Sequence, residues 1–219
     1  MKIFIYRILA VENGEDAEIS MELTNGKEIQ QIKGRVSASM FSDLRLPLTL
    51  KEPLFIEKDR CEEILRCMKL YSAIKKGISL LGYASNTVKA LTHKLKTKGY
   101  PDDIAAEAAA YLQEKGFIRE ADEARLFAEN LATRKYYGKN RIKKEMFAKG
   151  FPEGVIRQTL ELTEVDFAEI CAHRIRTMGG LGIFRNIEQK NKAVSALMRY
   201  GFSYHDIREA TELLQNEDE

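Results

Sequence analysis

Residues 141–162, RIKKEMFAKGFPEGVIRQTLEL, hold the punctuation that decides the fold. Apolar residues at three- and four-residue spacing run up to Lys149, as on one face of a helix. Gly150 follows, then Phe151 and Pro152. A helix that ends this way places glycine in the left-handed position, folds the aromatic back onto the helix just completed, and lets Pro open the next one. The same punctuation occurs twice more. KALTHKLKTKGYPDDIAAEAAAYL (89–112) and KAVSALMRYGFSYHDIREATELL (192–214) align with it on Gly99, Gly150 and Gly201, which are 51 residues apart both times. Leu95, Met146 and Leu197 lie four residues before each glycine. Tyr100, Phe151 and Phe202 lie one after it, and Pro101, Pro152 and Ser203 two after it. Ser203 is a helix cap, and the two prolines belong to a first helical turn.

Working outward, the pattern predicts nine helices at about 58–81, 85–98, 101–115, 120–136, 139–149, 152–162, 164–179, 187–200 and 203–216. They group into three-helix repeats at 58–116, 117–163 and 164–219. Units this thin bury their apolar stripes against neighbours, so tandem repeats are expected to stack into an elongated curved array. The first 57 residues read differently. KIFIYRIL (2–9) is rich in β-formers, and AEISMEL (17–23) alternates Ile19, Met21 and Leu23 with polar residues. Asn25-Gly26 predicts a type I′ hairpin turn, with EIQQIKG (28–34) as the return strand. SMFSDLRL (39–46) reads as a short helix, and Pro47 and Pro53 hold an extended segment. The fold class is therefore mainly α, preceded by a small β-rich module at 1–57.

Composition limits the function. Among 219 residues, 35 Lys and Arg face 33 Asp and Glu, so attraction to phosphate must come from local clustering. Cys61, Cys67 and Cys171 show no CxxC spacing and read as reduced cytosolic thiols, and His93, His173 and His205 are isolated, so no metal or other cofactor is expected. MKIFIYRILAVENG lacks the long apolar run of a signal peptide, and no other run could span a bilayer. The expected location is the cytoplasm. Gly-rich 179–182 leads to no Lys-Ser/Thr pair and reads as a helix link, and Asp102-Asp103 opens a helix. No catalytic constellation emerges, so the chain reads as a non-enzyme.

Two stretches point to binding. LLGYASNTVKALTHKL (80–95) has the form of a helix-turn-helix within 80–98; the competing reading makes Ser85 the cap of an ordinary repeat helix. RKYYGKNRIKKEMFAKGF (134–151) gathers Arg134, Lys135, Lys139, Arg141, Lys143, Lys144 and Lys149 against one acid, Glu145. It fits a nucleic-acid site, a protein-docking face or the solvated side of a helix pair. At least one of Tyr136 and Tyr137 is expected in the core.

DEARLFAENLATRKYYGKNRIKKEMFAKGF (122–151) resembles the family of RecX, the regulatory protein of the RecA recombinase. The matching positions are Asp122, Phe127, Ala128, Arg134, Gly138, Lys139, Arg141, Ile142, Lys149 and Gly150. LMRYGFSYHDI (197–207) is similar to the family's third-repeat signature, whereas 81–95 departs from its first. The likeness covers about 58–216, and the β module is similar to that of some longer members. It implies tandem three-helix repeats, no enzymatic activity, and binding to RecA and its filaments on single-stranded DNA. Modulation, usually inhibition, of strand exchange and ATP hydrolysis would follow, with weak direct DNA binding. No membrane contact and a monomeric state are expected.

Overall fold

The computed structural model describes residues 2–10 and 16–217. By internal contacts these fall into two units, Met1–Ile118 and Arg119–Glu219.

The first unit begins with an antiparallel sheet of strands β1 (Lys2–Ala10), β2 (Asp16–Thr24), β3 (Ile29–Ser37) and β4 (Leu54–Ile56), in the order β3-β2-β1-β4. Period-2 alternation sends Ile3 and Ile5 to the inner face. A bulge between Ile5 and Arg7 then shifts the register by one residue, so Ile8 returns to that face opposite Ile19. The β2–β3 turn differs from the expected type I′ turn. Four residues, Asn25 to Glu28, separate the paired ends Thr24 and Ile29, and of the four only Gly26 is left-handed (φ +90°). Asn25 Oδ1 accepts from the amides of Lys27 and Glu28 at 2.9 and 2.8 Å, so an Asx-type cap replaces the second left-handed residue. The short helix α1 (Ala38–Asp43) follows β3.

Helix α2 (Lys58–Leu81) serves two cores. Its first half lays Cys61, Ile64 and Met68 on the sheet. Its second half packs Leu70, Ala73 and Ile74 against α3 (Val88–Thr97) and α4 (Asp102–Glu114), whose Ala105, Ala108 and Ala109 allow close approach. α3 starts three residues later than expected, because Thr87, not Ser85, is its cap: Thr87 Oγ1 accepts from Ala90 N at 3.1 Å.

In the second unit, α5 (Glu120–Lys135), α6 (Lys139–Lys149) and α7 (Glu153–Glu161) bury Ala124, Ala128 and Ala132 against Ile142, Met146, Phe151, Ile156 and Leu160. Then α8 (Phe167–Thr177), a 3-10 turn (Gly180–Phe184), α9 (Ile187–Arg199) and α10 (Tyr204–Glu217) enclose Cys171, Ala172, Ile175, Leu197, Phe202 and Leu214.

The glycine turns share one hydrogen-bond pattern. Gly99, Gly150 and Gly201 have φ of +91°, +92° and +98°. The amides of Tyr100, Phe151 and Phe202 donate to the carbonyls of Leu95, Met146 and Leu197 at 3.3, 3.2 and 3.2 Å. This is the six-to-one bond of a Schellman turn. Gly116 (φ +76°), followed by Phe117 donating to Leu112 at 2.9 Å, repeats the device at the end of α4. Pro101 and Pro152 sit at the cap position, one residue before the first turn in which they were expected. Ser203 and Asp206 form a reciprocal cap, each side chain accepting from the other's amide at 3.1 and 2.7 Å.

Burial pushes the Cys171 thiol up to about 12, with Asp206 adding to the rise. The nucleophile of a thiol reagent is the thiolate. Cys171 is therefore expected to resist iodoacetamide at about pH 8 in the folded chain and to react once denaturant opens α8–α10. Mass spectrometry of the labelled peptide checks this, and prompt native labelling would contradict it.

Candidate functional site

The basic stretch 134–151 divides into a structural part and a solvent-facing part. The structural part begins where α5 ends. Tyr136 is left-handed (φ 51°, ψ 50°), a conformation that costs a residue with a Cβ about 1–2 kcal/mol. Its ring stacks on His173 of α8, centroids 3.9 Å apart and planes 19° apart. Arg174 Nη2 donates to the carbonyl of Lys135 at 2.6 Å, closing the end of α5 from the neighbouring helix. The guanidinium of Arg174 lies 4.1 Å from the Tyr200 ring centroid, Tyr200 lies 6.3 Å from Tyr137, and the Arg141 guanidinium lies 4.2 Å from Tyr137. Two cations thus flank two aromatic rings.

Below that stack the main chains touch. Gly138 N donates to Tyr200 O at 2.9 Å, and Asn140 N donates to Gly201 O at 3.0 Å. A Cβ on Gly138 would fall 2.4 Å from Gly201 C and from Phe202 N; one on Gly201 would fall 2.4 Å from Arg141 N. Neither glycine can carry a side chain while these bonds persist. The segment that begins α6 is therefore the seam on which α8–α10 join α5–α7, and both Tyr136 and Tyr137 are half-buried in it.

The remaining cations lie around this seam. Arg134 and Lys135 are exposed in the last turn of α5, where positive charge suits the helix dipole. Lys139, Lys143 and Lys144 are exposed on α6. Arg141 is half-buried and pairs with Glu145 at 3.5 Å. Lys149 turns back on the core, its ammonium 4.3 Å from the Phe127 ring and 5.8 Å from Phe151.

Between α6 and the end of α9 lies an open cleft of about 470 Å³, lined by Asn140, Arg141, Lys144 and Glu145 on one side and Met198, Arg199 and Gly201 on the other. Arg199 and the 43% exposed Met198 were missed by sequence reasoning. Their only local sign is a cation in the last turn of a helix, which by itself marks no site. The cleft offers three cations, one carboxylate and an apolar contact, a set suited to an acidic protein surface or a phosphate.

The segment 80–98 offers less. Leu91 and Leu95 of α3 are fully buried, Lys94 donates to Asn86, and Lys96 pairs with Asp102 at 2.8 Å. This leaves few outward groups that could read base edges. Among the described residues, no group of three or more His, Cys, Asp and Glu converges on a metal position, and no helix is long and apolar enough to cross a membrane.

No family model matches the chain. It is 30% identical over 141 residues to the regulatory protein RecX of Stenotrophomonas maltophilia (strain K279a), covering 63% of this chain and 84% of that one. It is 27% identical over 154 residues to the regulatory protein RecX of Chlorobaculum tepidum, covering 68% and 92%. Among solved structures it resembles a crystal structure of regulatory protein RecX with a TM-score of 0.72 at 18% identity, covering 96% of this chain and 99% of that one. RecX from Lactobacillus salivarius matches with a TM-score of 0.61 at 19% identity, covering 68% and 97%. At such identities the structural likeness speaks for the fold.

Proposed function

The chain belongs to the RecX family of regulatory proteins, and from that premise we propose that it modulates the RecA recombinase, chiefly as an inhibitor, by contact rather than by catalysis. The carrying observation is the cluster of exposed cations on α6 beside the cleft shared with α9. Lys139, Lys143 and Lys144 meet acidic RecA surface or DNA phosphate in a RecA–single-strand filament, with Arg134 and Lys135 extending the charged region. Arg141 and Lys149 act from behind, holding the helix that presents them. Lysine ammonium groups give long-range attraction without demanding one geometry, which suits a repeating polymer partner. A monomer bound there limits filament growth and hinders incoming duplex DNA, so ATP hydrolysis and strand exchange fall. Weak direct DNA binding would arise from the same charges. Such a role belongs to homologous recombination, DNA repair and the SOS response. Helices α2–α4, α5–α7 and α8–α10 are the three repeats in this reading, with the sheet as an added module.

The purified protein is expected to lower RecA's DNA-dependent ATP hydrolysis at substoichiometric ratios and to hydrolyse no nucleotide itself. A coupled ATPase assay measures both. Unchanged RecA turnover at micromolar protein, with co-sedimentation of the two proteins demonstrated, would remove inhibition from the proposal. Absence of co-sedimentation would remove the partner.

A further inference from the structure

The first unit has a cleft of its own. It lies along β3, the edge strand of the sheet, where α2 passes beside it, and has a volume of about 510 Å³. Its floor is apolar, formed by Ile32, Leu65 and Met68. Its α2 wall is basic, with Lys69 and Lys75, while β3 borders it with Ile32 and Gly34 and turns the side chains of Lys33 and Arg35 to the other face of the sheet. Residues 69, 72 and 75 recur every three positions, so Lys69, Ser72 and Lys75 form one exposed row.

The acids nearby are already engaged. Tyr71 donates its hydroxyl to Asp16, the one carboxylate lining the cleft. Glu18 pairs with Lys33 at 3.0 Å and with Arg35 at 3.6 Å, and the hydrogen bond from Lys33 holds its carboxyl below the usual range. That cluster occupies the sheet face away from α2, so the charge at the cleft is that of Lys69 and Lys75, and Lys75 lies 5.7 Å from the Tyr71 ring. Ser72 Oγ and Tyr100 OH are 2.9 Å apart. In such a pair one hydroxyl donates to the other, and the accepting hydroxyl keeps its hydrogen for a third group.

An apolar floor under a cationic, hydroxyl-bearing rim matches a ligand with a ring at one end and a phosphate at the other. A volume of this order is that of a small-molecule site. We infer that this cleft binds a nucleotide unit, its phosphate on Lys69, Lys75 and the Ser72–Tyr100 hydroxyl pair and its ring over Ile32, Leu65 and Met68. The unit comes either from a free nucleotide or from a single-stranded nucleic acid. The site lies within the first unit, and its test contains no RecA, so its failure leaves the proposal of RecA modulation standing.

The test uses the full chain with three probes: a fluorescent ADP analogue, a labelled oligothymidylate and inorganic phosphate as competitor. Lys69→Glu with Lys75→Glu is expected to weaken one or both labelled probes about tenfold or more, with the circular dichroism unchanged. Lys69→Gln with Lys75→Gln should weaken them less, in the same direction. Tight oligothymidylate with weak ADP analogue identifies a strand as the source, and comparable binding of both identifies the free nucleotide. The inference is overturned if neither labelled probe binds the wild type at millimolar concentration. It is equally overturned if the α2 variants bind as wild type does, or if inorganic phosphate competes as well as an unlabelled nucleotide.

Discussion

Gly201→Ala should destabilise the second unit by about 3 kcal/mol or more. Two costs combine. At φ +98° a residue with a Cβ loses about 1–2 kcal/mol relative to glycine. The new methyl also meets Arg141 N at 2.4 Å and Gly138 O at 2.8 Å, main-chain atoms that cannot rotate away. Overpacking of this kind costs about 1–3 kcal/mol. Two further replacements separate the terms. Gly138 has φ −75° and ψ 164°, which any residue adopts, so Gly138→Ala carries the crowding alone. Gly180 has φ +66° with no heavy atom within 4 Å of an added Cβ, so Gly180→Ala carries the backbone term alone, about 1–2 kcal/mol. Denaturant unfolding should rank Gly201→Ala as the most damaging and Gly180→Ala as the least. For a unit of this size the first corresponds to a loss of about 10–20 °C in melting temperature. Equal losses at 201 and 180 would show that the seam yields.

Reversing charge on α6 should have its largest effect on association. Lys139→Glu, Lys143→Glu and Lys144→Glu leave the seam intact, because all three side chains are exposed. The Lys143 ammonium lies 5.9 Å from the Phe147 ring, an exposed contact contributing about 0.5–1 kcal/mol. Folding stability should therefore stay within about 1 kcal/mol of wild type. Binding to RecA–DNA filaments is expected to fall about 10–100-fold at low salt, mostly through slower association. The gap should close as salt rises, because the screening length shrinks from about 10 Å at 0.1 M to about 3 Å at 1 M. Where the contacts are to single-strand phosphate, each lost cation lowers the slope of log affinity against log salt by about 0.7. Arg141→Ala is unsuitable for this purpose, since it removes a stacking partner of Tyr137 and would mix folding with binding. Wild-type filament affinity in the triple variant at low salt would return α6 to an ordinary solvated surface.

The helices were legible because their signals are local. Periodicity, a left-handed glycine and the aromatic after it all lie within a few residues, so the ends of α6 and α9 could be placed from 141–162 and its two relatives. The exceptions are also local. Asn25-Gly26 carries the sign of a two-residue turn, but the Asn25 side chain satisfies two amides and supports a longer loop. Ser85 resembles a cap, yet Thr87 lies nearer the first buried position of α3, Leu91. What could not be read was pairing across distance. Gly138 sits in a basic stretch like any turn glycine, and its reason for being glycine is a main-chain contact 63 residues later. The place of Arg141 in the seam depends on the same contact. So does the pairing of Lys144 with Arg199 across one cleft.

The seam also bears on the thermodynamics of recognition. Side-chain joints keep rotamer freedom that a partner must freeze, whereas Gly138 and Gly201 have no rotamers and meet through backbone hydrogen bonds. Lys144 and Arg199 therefore stand on walls whose separation is already fixed before any partner arrives. Ordering entropy at such a site is confined to the lysine and arginine stems, about 0.5–1.5 kcal/mol per immobilised side chain. Calorimetry of a partner bound at this cleft should accordingly report a small change in heat capacity, set by the surface covered and not by folding of the helices that present it.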